Sequence, residues 1–210
     1  MRHKAAAAIL LILPGFALAD EVTLLALGDS LTAGYGLPAE DGLVPQLEAW
    51  LRARGGDVRV INAGVSGDTT RGGLARVDWS LTPEVDAMIV ALGGNDMLRG
   101  MDPAASRANL DGILAVAAAR DLPVLLVGLP GPSNYGPDYK AAFDGIYPEL
   151  AEKWGTLLAP NFFAGLAAEG DPAAVRKLMQ ADGLHPSKQG VALIVAALGP
   201  KVEALVAAVK

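Results

Sequence analysis

The sequence predicts a three-layer α/β/α sandwich, a five-stranded parallel sheet covered by helices on both faces. Five short apolar runs predict the strands: Thr23-Leu27, Val58-Ile61, Ala87-Leu92, Val124-Val127 and Thr156-Ala159. Segments of helical periodicity lie between them, as connections between parallel strands require. The third and fourth runs are apolar at every position rather than alternating, which marks strands buried on both faces.

The chain opens on Arg2, His3 and Lys4, continues through the apolar stretch Ala5-Leu13, breaks at Pro14-Gly15 and reaches Ala17-Leu18-Ala19. A basic start, a short apolar run and a small-x-small site read as a secretory signal peptide cleaved after Ala19. Residues 20–210 are then a single exported domain, expected in the periplasm. The apolar stretch is too short to cross a bilayer, and no later run approaches the required length. Past the first strand, Leu43, Leu47, Trp50 and Leu51 fall on one helical face, and Leu110, Ile113, Leu114 and Ala117 do so before the fourth. Asp171-Pro172 reads as an N-cap followed by proline at the first helical position, opening a short helix through Val175 and Leu178. A last helical pattern covers Val191, Ile194, Val195 and Leu198 and resumes after Gly199-Pro200 with Val202, Leu205, Val206 and Val209.

Composition narrows the function. The chain has no cysteine, which excludes a disulfide scaffold and a lipid-bearing cysteine after the cleavage site. Removing residues 1–19 of the 210 leaves 191, enough for one sizeable core. Arg2 and Lys4 leave with them, so 15 basic side chains stand against 23 acidic ones, a net charge of −8. Such a surface argues against nucleic acid and against docking on anionic lipid. Of the two histidines, His3 belongs to the leader, so imidazole chemistry in the mature protein rests on His185.

Each of the first three strands ends in a polar, glycine-bearing turn: Gly28-Asp29-Ser30, then Asn62-Ala63-Gly64-Val65-Ser66-Gly67-Asp68, then Gly93-Gly94-Asn95-Asp96. In a parallel sheet these turns share one edge, so Ser30, Gly64 and Asn95 converge although far apart in sequence. A serine hydroxyl is a useful nucleophile only if a base takes its proton, and a tetrahedral intermediate needs donors aimed at its oxyanion. The backbone N–H groups of Ser30 and Gly64 and the Asn95 amide are the candidate donors, with glycine at 64 letting the main chain approach a substrate. His185 is the candidate base. Asp182, three residues earlier in Asp182-Gly183-Leu184-His185-Pro186, can accept from its Nδ1–H and fix the tautomer. Asp29, Asp68 and Asp96 read as struts for the turns, because another carboxylate beside the oxyanion would oppose its charge. Met97, Leu98 and Met101, with Leu129, Pro130 and Tyr135 after the fourth strand, are the candidate substrate contacts, an apolar lining suited to an acyl chain. Gly100 beside Arg99 marks the 97–101 segment as one able to move over bound substrate.

G-D-S-L at 28–31, the glycine at 64 within N-A-G-V-S-G-D-T-T, G-G-N-D at 93–96 and D-G-L-H-P at 182–186 resemble, in order, the four blocks of the SGNH (GDSL) hydrolases. S-G-D-T-T-R-G-G-L-A-R at 66–76, L-G-G-N-D-M-L-R-G at 92–100, L-P-G-P-S-N-Y-G at 129–136 and I-Y-P-E-L at 146–150 are similar to that family's periplasmic thioesterase I/protease I/lysophospholipase, or arylesterase, branch. The resemblance covers essentially all of the mature chain. It implies a flavodoxin-like fold and hydrolysis of acyl esters and thioesters with no metal and no cofactor. A monomer acting on a small-molecule ester, without nucleic acid or a stable membrane anchor, is the expectation.

The G-x-S-x-G elbow of the α/β-hydrolases is absent, since Thr32 stands two residues after Ser30. Within the family the alternative is a carbohydrate O-acetyl esterase. Only Trp50, Trp79 and Trp154 are available to stack on a sugar, and Trp50 and Trp154 fall on helix faces. A phosphate-binding module is a rival of another class, but Gly28 to Gly36 holds neither a Gly-x-Gly-x-x-Gly nor a Walker pattern, and such a module has no need of Asp182 and His185.

Overall fold

The computed structural model describes residues 21–209, so the leader read over residues 1–19 lies outside the described residues. Strand β1 (Val22–Gly28) leads into the short helix α1 (Ser30–Ala33), a 3-10 turn at Ala39–Asp41 and helix α2 (Leu43–Arg52). Then come β2 (Val58–Gly64), α3 (Thr70–Ser80), β3 (Ala87–Ala91), α4 (Gly94–Leu98), α5 (Pro103–Ala118) and β4 (Val124–Val127). The chain continues with α6 (Pro137–Asp144), α7 (Ile146–Trp154), β5 (Leu157–Ala159), α8 (Ala164–Ala167), α9 (Pro172–Lys177) and α10 (Lys188–Val206).

The five strands form one parallel sheet in the order β2-β1-β3-β4-β5, the layered α/β fold expected from the sequence. Leu24-Leu27, Ala87-Leu92 and Val124-Val127 are buried at every residue, which is why the central strands are continuous apolar runs. The edge strand β2 alternates instead, with Val58 and Val60 buried and Arg59 exposed. Helices α2, α8 and α10 cover one face, and α3, α5 and α7 the other. β1 pairs with β2 on one side and β3 on the other, Gly28 standing opposite both Gly64 and Ala91. The chain leaves β1 in one direction and later passes it in the other, and that reversal opens a crevice at the C-terminal strand ends.

One expectation is corrected. The C-terminal pattern is a single helix that runs through Gly199 and Pro200, and by length and apolarity α10 could cross a bilayer, which the run lengths did not suggest. A proline inside a helix costs about 3 kcal/mol. Val191, Ile194, Val195, Leu198, Val202 and Leu205 are all buried along α10, and each such side chain contributes about 1.5–3 kcal/mol. At Gly199 the helix presses on Trp50 of α2, where a Cβ would stand 2.6 Å from the ring. Core contact therefore outweighs the local break.

Candidate active site

β1 delivers the chain to the crevice, and Ser30 opens α1 two residues past Gly28. The turn is tight because two side chains are missing from it: a Cβ on Gly28 would collide with Thr32 Oγ1, and one on Gly64 with the backbone of Ala33. Glycine at 64 therefore also admits α1 against β2, a reason for glycine there beside the approach to substrate expected from the sequence. Asp29 caps α1, its Oδ1 accepting from Leu31 N–H at 3.0 Å while Oδ2 accepts from Asn95 Nδ2 at 3.4 Å. It is 2 % exposed. Burial pushes its carboxyl up to about 6, against the opposing pull of those two hydrogen bonds and of His185.

The other two aspartates of the turns are also hydrogen-bonded braces. Asp96 accepts from Thr70 N–H at 2.9 Å, Thr70 Oγ1 at 2.6 Å and Ser106 Oγ at 3.0 Å. Asp68 accepts from Arg76 Nε at 2.7 Å. The same guanidinium donates from Nη1 to Ala63 O and from Nη2 to Gly28 O, each at 2.8 Å, and so ties the ends of β1 and β2 together. Arg76 escaped sequence reasoning because a lone arginine in a weakly apolar stretch carries no sign that it is buried.

His185 comes from the loop before α10. Gly183, at φ +65°, turns that loop, and Asp182 Oδ1 accepts from Leu184 N–H at 2.9 Å and His185 N–H at 3.0 Å. Asp182 Oδ2 is left to face His185 Nδ1 at 2.7 Å. The His185 N–H, its ring and the Leu184 N–H, in that order, hold the Asp182 carboxyl down to about 2. An ionised carboxylate only accepts, so Nδ1 carries the proton and the neutral ring presents Nε2 as an acceptor. Ser30 Oγ lies 2.8 Å from Nε2, and its O–H donates there. Tyr35, unforeseen in this role, sets its ring 4.7 Å from the imidazole at a 40° tilt.

Ser30 and His185 open onto a cavity of about 270 Å³, lined also by Asp29, Leu31, Gly94, Asn95, Met97, Leu98, Leu129, Pro130, Pro132, Asn134, Tyr135, Phe163 and Leu184. Five of the six candidate substrate contacts are on that wall. Met101 is not: Gly100, at φ +59°, reverses the chain, and Met101 N–H bonds back to Asp96 O at 3.0 Å. Gly64 does not line the cavity either, and its N–H donates to Asn62 Oδ1 at 2.9 Å. Leu31, Pro132, Asn134, Phe163 and Leu184 were not foreseen. Leu184 could have been found as the neighbour of His185, and Phe163 by extending to β5 the rule that strand-end turns share one edge. A second groove of about 610 Å³ adjoins the first, sharing Phe163 and Leu184 and running along Leu166, Val175 and Met179. Among the described residues, no group of three or more His, Cys, Asp or Glu side chains comes together that could hold a metal ion.

The profile of the GDSL-like lipase/acylhydrolase family matches residues 26–193. The chain belongs to that family. As a GDSL hydrolase it is an enzyme of the esterase class. It is 45 % identical over 166 residues to esterase TesA of Pseudomonas aeruginosa, covering 79 % of this chain and 80 % of that protein. It is 35 % identical over 199 residues to thioesterase 1/protease 1/lysophospholipase L1 of Escherichia coli, covering 94 % and 91 %. Among solved structures it is similar to AlinE4, an SGNH-hydrolase family esterase, with a TM-score of 0.73 and 44 % identity over 90 % of this chain and 98 % of that one.

Proposed function

We propose that this GDSL hydrolase is an exported serine esterase that cleaves acyl esters and thioesters. Ser30 Oγ attacks the acyl carbonyl as its proton passes to His185 Nε2, and ionised Asp182 steadies the imidazolium through Nδ1–H. Charge gathering on the carbonyl oxygen is met by Ser30 N–H and by an Asn95 amide N–H, of which the amide has two. Gly64 N–H serves as a third donor by exchanging Asn62 Oδ1 for the oxyanion. His185 then returns the proton to the leaving alcohol or thiol as the C–O or C–S bond breaks, leaving an acyl ester on Ser30. Water attacks that ester by the same route and releases the acid.

The observation that carries this reading is the unbroken line from Asp182 through His185 to Ser30, ending at an apolar cavity. Met97, Leu98, Leu129, Pro130 and Tyr135 suit an acyl chain, and the adjoining groove offers a longer one further room. The esterase and thioesterase names of the relatives point the same way. Trp50, Trp79 and Trp154 all lie off the cavity wall, so a carbohydrate O-acetyl esterase would have no tryptophan there to stack on a sugar. Residues 1–19 are proposed to direct export to the periplasm and to be removed there.

The test is a panel of p-nitrophenyl esters from acetyl to palmitoyl, an acyl-CoA and a lysophospholipid, run on purified residues 20–210. Ser30→Ala is expected to fold normally and lose about 10³-fold or more in kcat. Retained turnover in the folded variant rules out the mechanism, and a steep preference for acetyl returns the O-acetyl reading.

A further inference from the structure

We infer that Gln180 is a positioning residue that sets the separation of Ser30 and His185 through the two N–H groups of its amide. The hydrogen bond it would govern joins residues 155 positions apart, carried on loops that leave different elements. Gln180 Nε2 donates to Tyr35 O at 2.8 Å, in the turn just after the Ser30 helix, and to Pro186 O at 3.0 Å, next to His185. Its main chain grips the histidine loop as well. Gln180 N–H donates to His185 O at 2.7 Å, and Gly183 N–H donates to Gln180 O at 2.9 Å. A single residue thus holds the histidine loop by its backbone and the nucleophile's turn by its side chain.

The surrounding chain is shaped to admit that amide. Gly36 stands at φ +76°, and a Cβ there would collide with Gln180 Oε1. Tyr35, whose carbonyl takes one of the N–H groups, is the residue whose ring rests on the imidazole, so the same bond seats that ring. A further tie, of Lys188 and Gln46 with Asp41, reaches the start of α10 rather than His185. Both Gln180 acceptors are carbonyl oxygens. An ionised glutamate of the same shape has a proton for neither and turns a negative oxygen toward both.

The inference rests on the Ser30–His185 chemistry proposed above, and two readouts test it. One is kcat and KM on a p-nitrophenyl ester. The other is the rate at which a p-nitrophenyl phosphonate is captured, Ser30 Oγ bonding to phosphorus as p-nitrophenolate leaves and the proton passes to His185. Q180E is expected to lose about 10- to 100-fold in kcat with KM within about twofold, since a misplacement near 1 Å costs about 10²-fold. Phosphonate capture slows by the same factor. Relative to wild type, Q180E regains part of its rate as the pH falls and the new carboxyl takes up a proton, which lets it donate to one of the two carbonyls, whereas Q180M, of similar length and without a donor, loses kcat and does not recover. Thermal unfolding checks that each variant is folded, and Q180M alone decides if Q180E is not. Variants with kcat within about twofold of wild type, or with raised KM at unchanged kcat, overturn the inference. A wild type that neither turns over ester nor is captured by the phosphonate overturns the functional reading, and this inference with it.

Discussion

Two carboxylates stand on either side of the Ser30–His185 contact, and their surroundings treat them in opposite ways. Asp29, in the nucleophile turn, is 2 % exposed, accepts one backbone N–H and one long amide contact, and is pushed up to about 6. Asp182, in the histidine loop, has a side chain 40 % exposed, yet two backbone N–H groups and the imidazole hold it down to about 2. Burial governs the first and donors govern the second. The difference suits their places: the partner of a ring that becomes cationic has to be ionised, while a strut beside a developing oxyanion opposes it least when its own charge is weakest. The two regions are also held differently. The nucleophile turn is fixed by contact, with no room for a Cβ at Gly28 or Gly64, whereas a Cβ on Gly183 in the histidine loop would meet nothing within 4 Å.

Asp182→Asn is the sharpest way to break this comparison. With its oxygen kept by the Leu184 and His185 N–H groups, the amide turns its NH2 toward Nδ1 and carries no charge to offset the imidazolium, so kcat on a p-nitrophenyl ester is expected to fall by about 10³- to 10⁴-fold. A loss under tenfold would mean that charge at 182 is not what His185 needs. The same variant removes one contribution to acid stability. The folded carboxyl titrates at about 2 against 3.8 in the reference state, so its stabilisation is present above 3.8 and disappears as pH falls through about 2.

Asp29→Asn has the opposite sign. The folded carboxyl titrates at about 6 against 3.8 unfolded, so between those values the native protein keeps a proton that the unfolded chain has released. Stability falls as pH rises across that window, and above about 6 the full amount, at most about 3 kcal/mol, has been lost. Asparagine keeps an acceptor for Leu31 N–H and carries no such slope. In denaturant unfolding the variant should gain on wild type between about pH 4 and about pH 7.5; a difference that does not change with pH would remove Asp29 from the account.

The smallest effects come from the glycines. Gly64→Ala forces a Cβ against the backbone of Ala33 and should destabilise by about 1–3 kcal/mol. Gly183→Ala meets open space and pays only for a left-handed backbone, about 1 kcal/mol. Equal losses in thermal unfolding would contradict the contrast between a turn held by contact and a loop held by hydrogen bonds.

Much of this arrangement is legible in the residues. The central strands are, because a strand covered on both faces is apolar at every position. The struts are, because Asp29, Asp68 and Asp96 sit in turns where a carboxylate has backbone or side-chain donors to accept from. Helix α3 is not: its buried positions are Thr70, Gly73, Arg76 and Val77, and polar or small residues facing inward leave no apolar period to read. Gly199-Pro200 reads as a break and is none, because burial of α10 outweighs local propensity.

Sequence alone determined the short-range chemistry of this protein. Asp182 reaches His185 because three residues span one turn of chain, and Ser30, Gly64 and Asn95 share an edge because parallel strands end on the same side. Only the tertiary structure decided what depends on distances across the chain: the 2.8 Å between Ser30 and His185, the amide of Gln180 braced between their loops, the Gly64 N–H turned to Asn62, and Met101 drawn off the cavity. Such distances are set by packing between elements separated in sequence, and no local pattern of residue types encodes them.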